Sequence, residues 1–189
     1  WQDMEGKIEM ILDGGPVGIG VESTIVDVSG DVPTLLRPGA ITMEMLRKTV
    51  GQVEIDPAIQ APPSADLRPK APGMKYRHYA PHADLQLVEG ETGKVVETIN
   101  KLVKEKLAEG KKVGVICTDE TKARYPQGEV RSVGLRVKEE IIAHNLFAVL
   151  REFDDLDVDC IYSESFSKDH LGQAIMNRLT KAAGYHVLK

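Results

Sequence analysis

From residue 83 to the end of the chain, short apolar runs typical of strands alternate with longer stretches that have helical periodicity. Strands that alternate with helices usually form a small parallel sheet covered by those helices. The sequence therefore predicts an α/β fold for this region. The predicted strands cover 84–88, 113–117 and 129–133 and resume at 160, and the predicted helices have apolar stripes over 95–107, 137–153 and 171–182.

The region before residue 51 has a mixed pattern in which strands dominate. A region of about 50 residues buries too little apolar surface to fold alone. The chain also opens at Trp1 rather than at a methionine, so we expect this region to be the tail of a larger domain. The patterns predict a helix over 1–12, a glycine-rich loop over 13–20, strands over 21–28 and 34–37, and a helix from Thr42 to about Val50.

A proline-rich connector over residues 51–82 separates the two regions. Its six prolines make it extended and fairly stiff. The last part of the connector, APGMKYRHYAP at 71–81, places cations beside aromatic rings, which suits phosphate binding and base stacking. It also suits a structured linker whose tyrosines pack on a neighbouring domain. The candidate binding residues are Lys75, Tyr76, Arg77, His78 and Tyr79.

Composition limits the classes of function. With 42% hydrophobic and 28% charged residues, the 189-residue chain has the composition of a globular protein. Its net charge of -5 argues against a broad nucleic-acid-binding face, so any anion site must be local. Cys117 and Cys160 lie among strand-like residues and are interpreted as buried thiols in a reducing compartment. No apolar run is long enough to span a bilayer, and we expect a cytoplasmic protein without membrane contact.

Two residues of the N-terminal region are candidates for ligand binding. Ser23 either lines a pocket for a polar substrate or is an ordinary serine of a half-buried strand. Arg37 ends the next strand before a Pro-Gly turn, where it either forms a surface ion pair or is held for bidentate phosphate contact.

Other polar residues are interpreted without a functional role. His78 and His82 have the spacing of a helical metal pair, but Pro81 disfavours the helix that this pair would require. No metal-ligating residues are therefore predicted. Asn177 and Arg178, in the last helix, are interpreted as surface or capping residues.

Four motifs in this order carry a family resemblance across essentially the whole chain: GVESTIVD at 20–27, LRPGAIT at 36–42, PGMKYRHYAP at 72–81 and LGQAIMNRLTKAA at 171–183. Together they resemble the two-domain threonylcarbamoyl-adenylate synthases. The resemblance implies that 1–55 is the C-terminal portion of a YrdC-like catalytic domain, truncated at its start, and that 56–82 is a linker. It implies that 83–189 is a Rossmann-like, three-layer α/β/α extension with a mainly parallel sheet.

The resemblance also implies an activity. Members of the family condense L-threonine, bicarbonate (or CO2) and ATP to threonylcarbamoyl-AMP and pyrophosphate, as nucleotidyltransferases in tRNA processing. By motif position, Ser23 matches a residue of the threonine site, and Arg37 and Tyr76 match ATP-binding residues. Lys75, Arg77, His78 and Tyr79 follow as weaker candidates in a segment expected to close over the nucleotide. Mg²⁺ is expected to accompany ATP.

The resemblance also implies partners, and two other classes of function stay open beside it. The adenylate is expected to pass to the machinery that forms N6-threonylcarbamoyladenosine in tRNA; double-stranded RNA stays open as a partner, although the net charge does not support it. Catalytic residues are expected upstream of Trp1, so the chain alone should be inactive. Two other classes are kept: a non-catalytic nucleotide-binding module, and a structural or interaction domain that positions the linker.

Overall fold

A computed structural model describes residues 4–59, 70–72 and 80–189. Its helices and strands are, in chain order, β1 (Ile25–Asp27), β2 (Thr34–Arg37), α1 (Met43–Val50), β3 (Glu54–Ile55), β4 (Asp84–Val88), α2 (Thr92–Ala108), β5 (Val113–Cys117), β6 (Glu129–Ser132), α3 (Glu139–Asp155), β7 (Cys160–Glu164), α4 (Gly172–Ala182) and β8 (Val187–Leu188).

The second half of the chain forms a five-stranded sheet in the order β6-β5-β7-β4-β8. Every pairing in it is parallel, from Leu87 beside Val187 at one edge to Val115 beside Val130 at the other. This confirms the predicted α/β class with a mainly parallel sheet. Such sheets need apolar cover on both faces, and the fully buried β5 has that character.

Helices cover the two faces of this sheet. On one face, α3 and α4 pack on side chains such as Leu85, Ile116 and Ile161. On the other, α2 packs on Val113 and Val115. Successive residues of β5 point to opposite faces, as the two-residue period of a strand requires. The α4 helix is thereby fixed to a well-packed core.

A smaller sheet in the order β1-β2-β3 carries the N-terminal motifs. The β1 and β2 strands are antiparallel, whereas β2 and β3 are parallel. The predicted cap of α1 is confirmed, because the Thr42 side chain accepts a hydrogen bond from the N–H of Met45 at 3.3 Å. The buried cluster of this part is small, with Leu36, Ala58 and Ala71 as its core.

Several sequence predictions differ from the structure. Over its described residues, the segment predicted as a helix at 1–12 has turns and irregular backbone instead. Met10 and Leu12 are strongly exposed there, and a helix of this length is marginal without packing. The strand predicted over 21–28 is confined to β1. The two-residue β3 lies in the region read as connector, and the two-residue β8 has too short a pattern to predict.

The structure also bears on the two cysteines and on membrane-spanning helices. Cys117 and Cys160 are both free, and the predicted burial is confirmed for Cys117 but wrong for Cys160, which is half-buried as the first residue of β7. Among the helices of the described residues, none has the length and apolarity needed to cross a membrane.

Candidate functional site

The structure brings the two predicted N-terminal site residues together. The Nε–H of Arg37 donates to the main-chain oxygen of Ser23 at 2.9 Å. Arg37 is half-buried at the end of β2, and Ser23 is exposed just before β1. The Ser23 hydroxyl and the two terminal nitrogens of Arg37 have no hydrogen-bond partner among the described residues. The bond at Nε therefore orients the Arg37 guanidinium, and its two terminal nitrogens stay available to a ligand.

A close approach of two backbone segments underlies this arrangement. A Cβ on Gly39 would lie 2.5 Å from the carbonyl oxygen of Glu22 and 2.5 Å from the amide nitrogen of Thr24, so only glycine fits. The Thr24 hydroxyl donates to the carbonyl oxygen of Ile41 at 2.7 Å. The Pro-Gly turn thus holds the residues around Ser23 against those around Arg37.

The α4 helix reaches this junction from the larger sheet. Arg178 is only 4% exposed, and its guanidinium forms an ion pair with the Glu22 carboxylate. It also donates to the carbonyl oxygens of Pro38 at 2.9 Å and Glu22 at 3.4 Å. The neighbouring Asn177 side chain accepts from Arg178 at 3.0 Å and donates to the Ile59 carbonyl at 3.3 Å. Both residues are part of the junction.

The interpretation of Asn177 and Arg178 as surface or capping residues is therefore wrong. A sequence signal was available for Arg178, because it lies three residues after Ile175 and four before Ala182, both fully buried. That spacing places it on the apolar face of the helix. A charged side chain on such a face needs a partner, and here the partner is Glu22.

Lys181, one turn beyond Arg178, is also buried at this junction. Burial, and then the nearby charges of Arg178 and Arg37, lower the pKa of Lys181 to about 8, although the Glu22 carboxylate acts in the opposite direction. The Lys181 ammonium is thus close enough to Glu22, Arg178 and Arg37 to interact with their charges.

Two clefts lie beside the junction. One of about 590 Å³ is lined by Ala40 and Thr42 together with residues of α1 and α3, including Glu139. The other, of about 520 Å³, is lined by Ile59 and by the α4 face that carries Asn177. Neither cleft includes Ser23 or Arg37.

A second polar cluster lies at the carboxyl ends of β5 and β7. The Tyr125 hydroxyl donates to the buried Glu164 carboxylate at 2.7 Å, and Arg136 forms an ion pair with the same group. Burial, with the Glu164 hydrogen bond, raises the pKa of Tyr125, and burial raises the pKa of Cys117 to about 12. The buried Glu164 carboxylate thus has both an ion pair and a hydrogen bond, as a buried charge in a folded core requires. We therefore interpret this cluster as structural.

The histidines give no metal site in the described part. His82 contacts Asp154 at 3.4 Å, His170 contacts Glu44 at 2.9 Å and His186 contacts Asp84 at 3.7 Å, all near the surface. No group of three or more His, Cys, Asp or Glu side chains with metal-binding geometry occurs among the described residues. The linker candidates Lys75, Tyr76, Arg77, His78 and Tyr79 lie outside those residues.

Comparison with known proteins identifies the family. The family profile described as "Threonylcarbamoyl-AMP synthase, C-terminal domain" matches residues 41–184. A threonylcarbamoyl-AMP synthase of Pyrococcus abyssi is 47% identical over 188 residues, which cover 100% of this chain and 53% of the relative. A threonylcarbamoyl-AMP synthase of Bacillus subtilis is 43% identical over 187 residues, covering 99% of this chain and 52% of the relative.

A solved structure agrees with these sequence matches. The crystal structure of P. abyssi Sua5 complexed with L-threonine superposes with a TM-score of 0.88 at 45% identity, covering 100% of this chain and 53% of that protein. The chain spans about half the length of the curated relatives it matches. The resemblance of the four motifs is confirmed by these matches, and the chain belongs to the threonylcarbamoyl-AMP synthase family, whose C-terminal domain it contains.

Proposed function

We propose that this chain works as part of an L-threonylcarbamoyladenylate synthase. The reaction condenses L-threonine, bicarbonate or CO2, and ATP to threonylcarbamoyl-AMP and pyrophosphate. Two relatives named threonylcarbamoyl-AMP synthase, at 47% and 43% identity, support the proposal. The observation that carries it is the pairing of Arg37 with the Ser23 carbonyl, because it orients a guanidinium beside an exposed hydroxyl.

Arg37 is proposed to bind the phosphates of ATP. A guanidinium has five N–H donors in a planar fork, and bidentate contact with phosphate uses its unoccupied edge. In this chain the Nε–H is bound to Ser23, which fixes the plane of the fork while the terminal nitrogens stay available to a ligand. Tyr76 is proposed as a second ATP contact, with Lys75, Arg77, His78 and Tyr79 as further candidates in the same segment.

Ser23 is proposed to bind L-threonine. Its hydroxyl both donates and accepts, which suits the ammonium, carboxylate or hydroxyl of an amino acid. The similar P. abyssi structure is described as complexed with L-threonine, which supports a threonine site in this chain.

The chemistry requires positioning more than a covalent nucleophile. The threonine amine adds to CO2 to give a carbamate, and a carbamate oxygen attacks the α-phosphorus of ATP as the bond to pyrophosphate breaks. Two anions must approach one another, so fixed cations that offset the developing charge accelerate the step. Arg37 would supply such a charge. Mg²⁺ is proposed to arrive with the ATP phosphates, because Mg²⁺ prefers phosphate and water oxygens; the described residues offer it no ready-made group of ligands.

The proposed organisation assigns 1–55 to the catalytic YrdC-like domain, 56–82 to the linker and 83–189 to the C-terminal extension. The product would serve N6-threonylcarbamoyladenosine formation in the tRNA of the cytoplasm. Because the relatives are about twice as long, we expect the chain alone to be inactive. A protein of the relatives' length that contains this chain is called the full-length protein below.

The test is pyrophosphate release from ATP that depends on both threonine and bicarbonate. The full-length protein should release pyrophosphate only when both are present, and threonylcarbamoyl-AMP should be found by mass spectrometry. This chain alone should give background release. A full-length protein that hydrolyses ATP equally well without threonine would contradict the proposed function.

A further inference from the structure

We propose that Arg178 is a positioning residue for the substrate site, so that the C-terminal extension takes part in building that site. Arg178 binds the carbonyl oxygen of Glu22, the residue before Ser23, and that of Pro38, the residue after Arg37. One guanidinium therefore spans the two segments that carry the site. The inference rests on the proposed function, because it concerns the spacing of the proposed threonine and ATP contacts.

The local sheet does not hold these segments in place without help. Strand pairing begins at Ile25 opposite Arg37, and the register shifts between Ile25 and Val26. Ser23 precedes that ladder and follows a glycine-rich loop, so its backbone position depends on the contacts made by its neighbours. Those contacts include the Arg37 bond to Ser23 itself, the Arg178 bonds to Glu22 and Pro38, and the packing of Val21 on the core of the large sheet.

Arg178 differs from the other contacts because it is anchored in another core. Ile175 and Leu179, which flank it on α4, are both fully buried in the core between the large sheet and its helices. The Arg37 and Thr24 bonds connect parts of the small sheet with each other. Unlike those two bonds, the Arg178 bonds tie both site segments of the small sheet to the core of the large sheet.

Charge strengthens the arrangement. The Glu22 carboxylate binds Nε of Arg178, so the terminal nitrogen that contacts both carbonyl oxygens is oriented by the ion pair. A lysine has one ammonium and no planar fork, and it cannot reproduce three separated contacts. A glutamine would leave the Glu22 carboxylate without this cation. Arg178→Lys, which keeps the charge, should therefore weaken substrate binding less than the neutral Arg178→Gln.

The experiment measures the KM values for threonine and for ATP, with kcat, in the full-length protein and its Arg178→Lys and Arg178→Gln variants. If Arg178 sets the Ser23–Arg37 spacing, both KM values should rise, about tenfold in Arg178→Gln and about threefold in Arg178→Lys. A role in folding alone would lower the amount of active protein, which reduces apparent kcat and leaves both KM values unchanged. Arg151→Gln, which breaks an exposed i,i+3 pair with Asp154 on α3, is the matched control and should change neither KM.

A second measurement needs no activity. Amide hydrogen exchange of this chain should become faster in peptides covering 21–28 and 36–42 when Arg178 is replaced by Lys, whereas the β5 strand should be unaffected.

The outcomes separate the two proposals. A wild-type full-length protein without threonine-dependent synthesis overturns the proposed function, and the exchange measurement then still decides whether Arg178 holds the two segments. Wild-type activity with unchanged KM values in Arg178→Lys and Arg178→Gln overturns the positioning role and leaves the proposed function intact. If Arg178→Gln does not fold, Arg178→Lys decides: unchanged KM values and unchanged exchange overturn the inference.

Discussion

The ring of Phe153 lies so close to Gly114 that a Cβ on Gly114 would be 2.6 Å from the ring carbon Cε1. Gly114 is in the middle of β5, and Phe153 reaches it from α3. The glycine is therefore required by packing, since it makes room for a fully buried aromatic side chain. This contact helps to set the distance between α3 and the large sheet.

Gly114→Ala should destabilise the protein through overpacking, by about 1–3 kcal/mol in the free energy of unfolding. Urea unfolding of this chain measures the change. Gly30→Ala is the matched control, because a Cβ at Gly30 meets no described residue within 4 Å. Adding Phe153→Leu to Gly114→Ala should cost less than the sum of the two single changes. Strict additivity would show that the ring does not limit this position.

Arg37→Lys in the full-length protein should weaken ATP-dependent synthesis by about 1–3 kcal/mol, because a lysine keeps the charge and loses the planar fork. The rate and the KM for ATP measure this loss. Arg47→Lys changes an exposed arginine of α1 and should leave both values unchanged. Wild-type kinetics in Arg37→Lys would reduce Arg37 to a structural residue that orders the Ser23 backbone.

Ser23→Ala should raise the KM for threonine more than the KM for ATP. Loss of one hydrogen bond is worth about 1 kcal/mol, which corresponds to a fivefold change in KM. Ser29→Ala removes a serine hydroxyl that, among the described residues, donates to the nearby Asp27, and it serves as the control. If the ATP requirement moves and the threonine requirement does not, Ser23 has been assigned to the wrong substrate.

Lys181→Met should change how stability depends on pH. The pKa of Lys181 is lowered from 10.5 to about 8 in the folded protein. Below pH 8 the side chain is charged in both states, and its burial lowers stability. Between about pH 8 and 10.5 the unfolded chain binds the proton more tightly, so the Lys181 contribution to stability rises with pH, by about 3 kcal/mol in total.

The measurement compares unfolding free energies of wild type and Lys181→Met at pH 7, 8, 9 and 10. The wild type should gain stability relative to Lys181→Met as pH rises, because titration of all other groups cancels in the difference. Lys104→Met, at an exposed lysine of α2, should show a constant difference. A constant difference for Lys181→Met as well would mean that its ammonium is not destabilised by burial.

Tyr125 and Tyr185 allow a hydrogen-bonded buried hydroxyl to be compared with one that has no partner among the described residues. Tyr125→Phe removes a donor to the buried Glu164 carboxylate and should cost about 1–3 kcal/mol of unfolding free energy. The Tyr185 hydroxyl is buried and has no hydrogen-bond partner in the described part of the chain, so Tyr185→Phe should be neutral or stabilising. Equal losses in thermal or urea unfolding would show that both hydroxyls are satisfied.

Local sequence patterns predicted the larger sheet well. The limits of β4 and β5 match the predicted strands, and α4 begins one residue after its predicted stripe. These elements are long enough for a period of 2 or 3.6 residues to show, and each packs on one continuous core. The predicted helix over 1–12 failed because apolar spacing was present without a surface to pack on. The two-residue strands β3 and β8 depend on partners, and a pattern of two residues has no period.

The sequence by itself determined the α/β class, the longer strands and helices of the second half of the chain and the four motifs that mark the family. Only the tertiary structure decided that Arg178 contacts Glu22, a residue 156 positions away, and that Arg37 binds the Ser23 backbone. The physical reason is that periodicity reports which face of an element is buried, whereas a contact between distant segments depends on how two separately packed elements meet. Arg178 was interpreted from the sequence as a surface or capping residue, although its spacing on α4 is compatible with burial, and only the fold supplied the carboxylate and the two carbonyl oxygens that pair its buried charge.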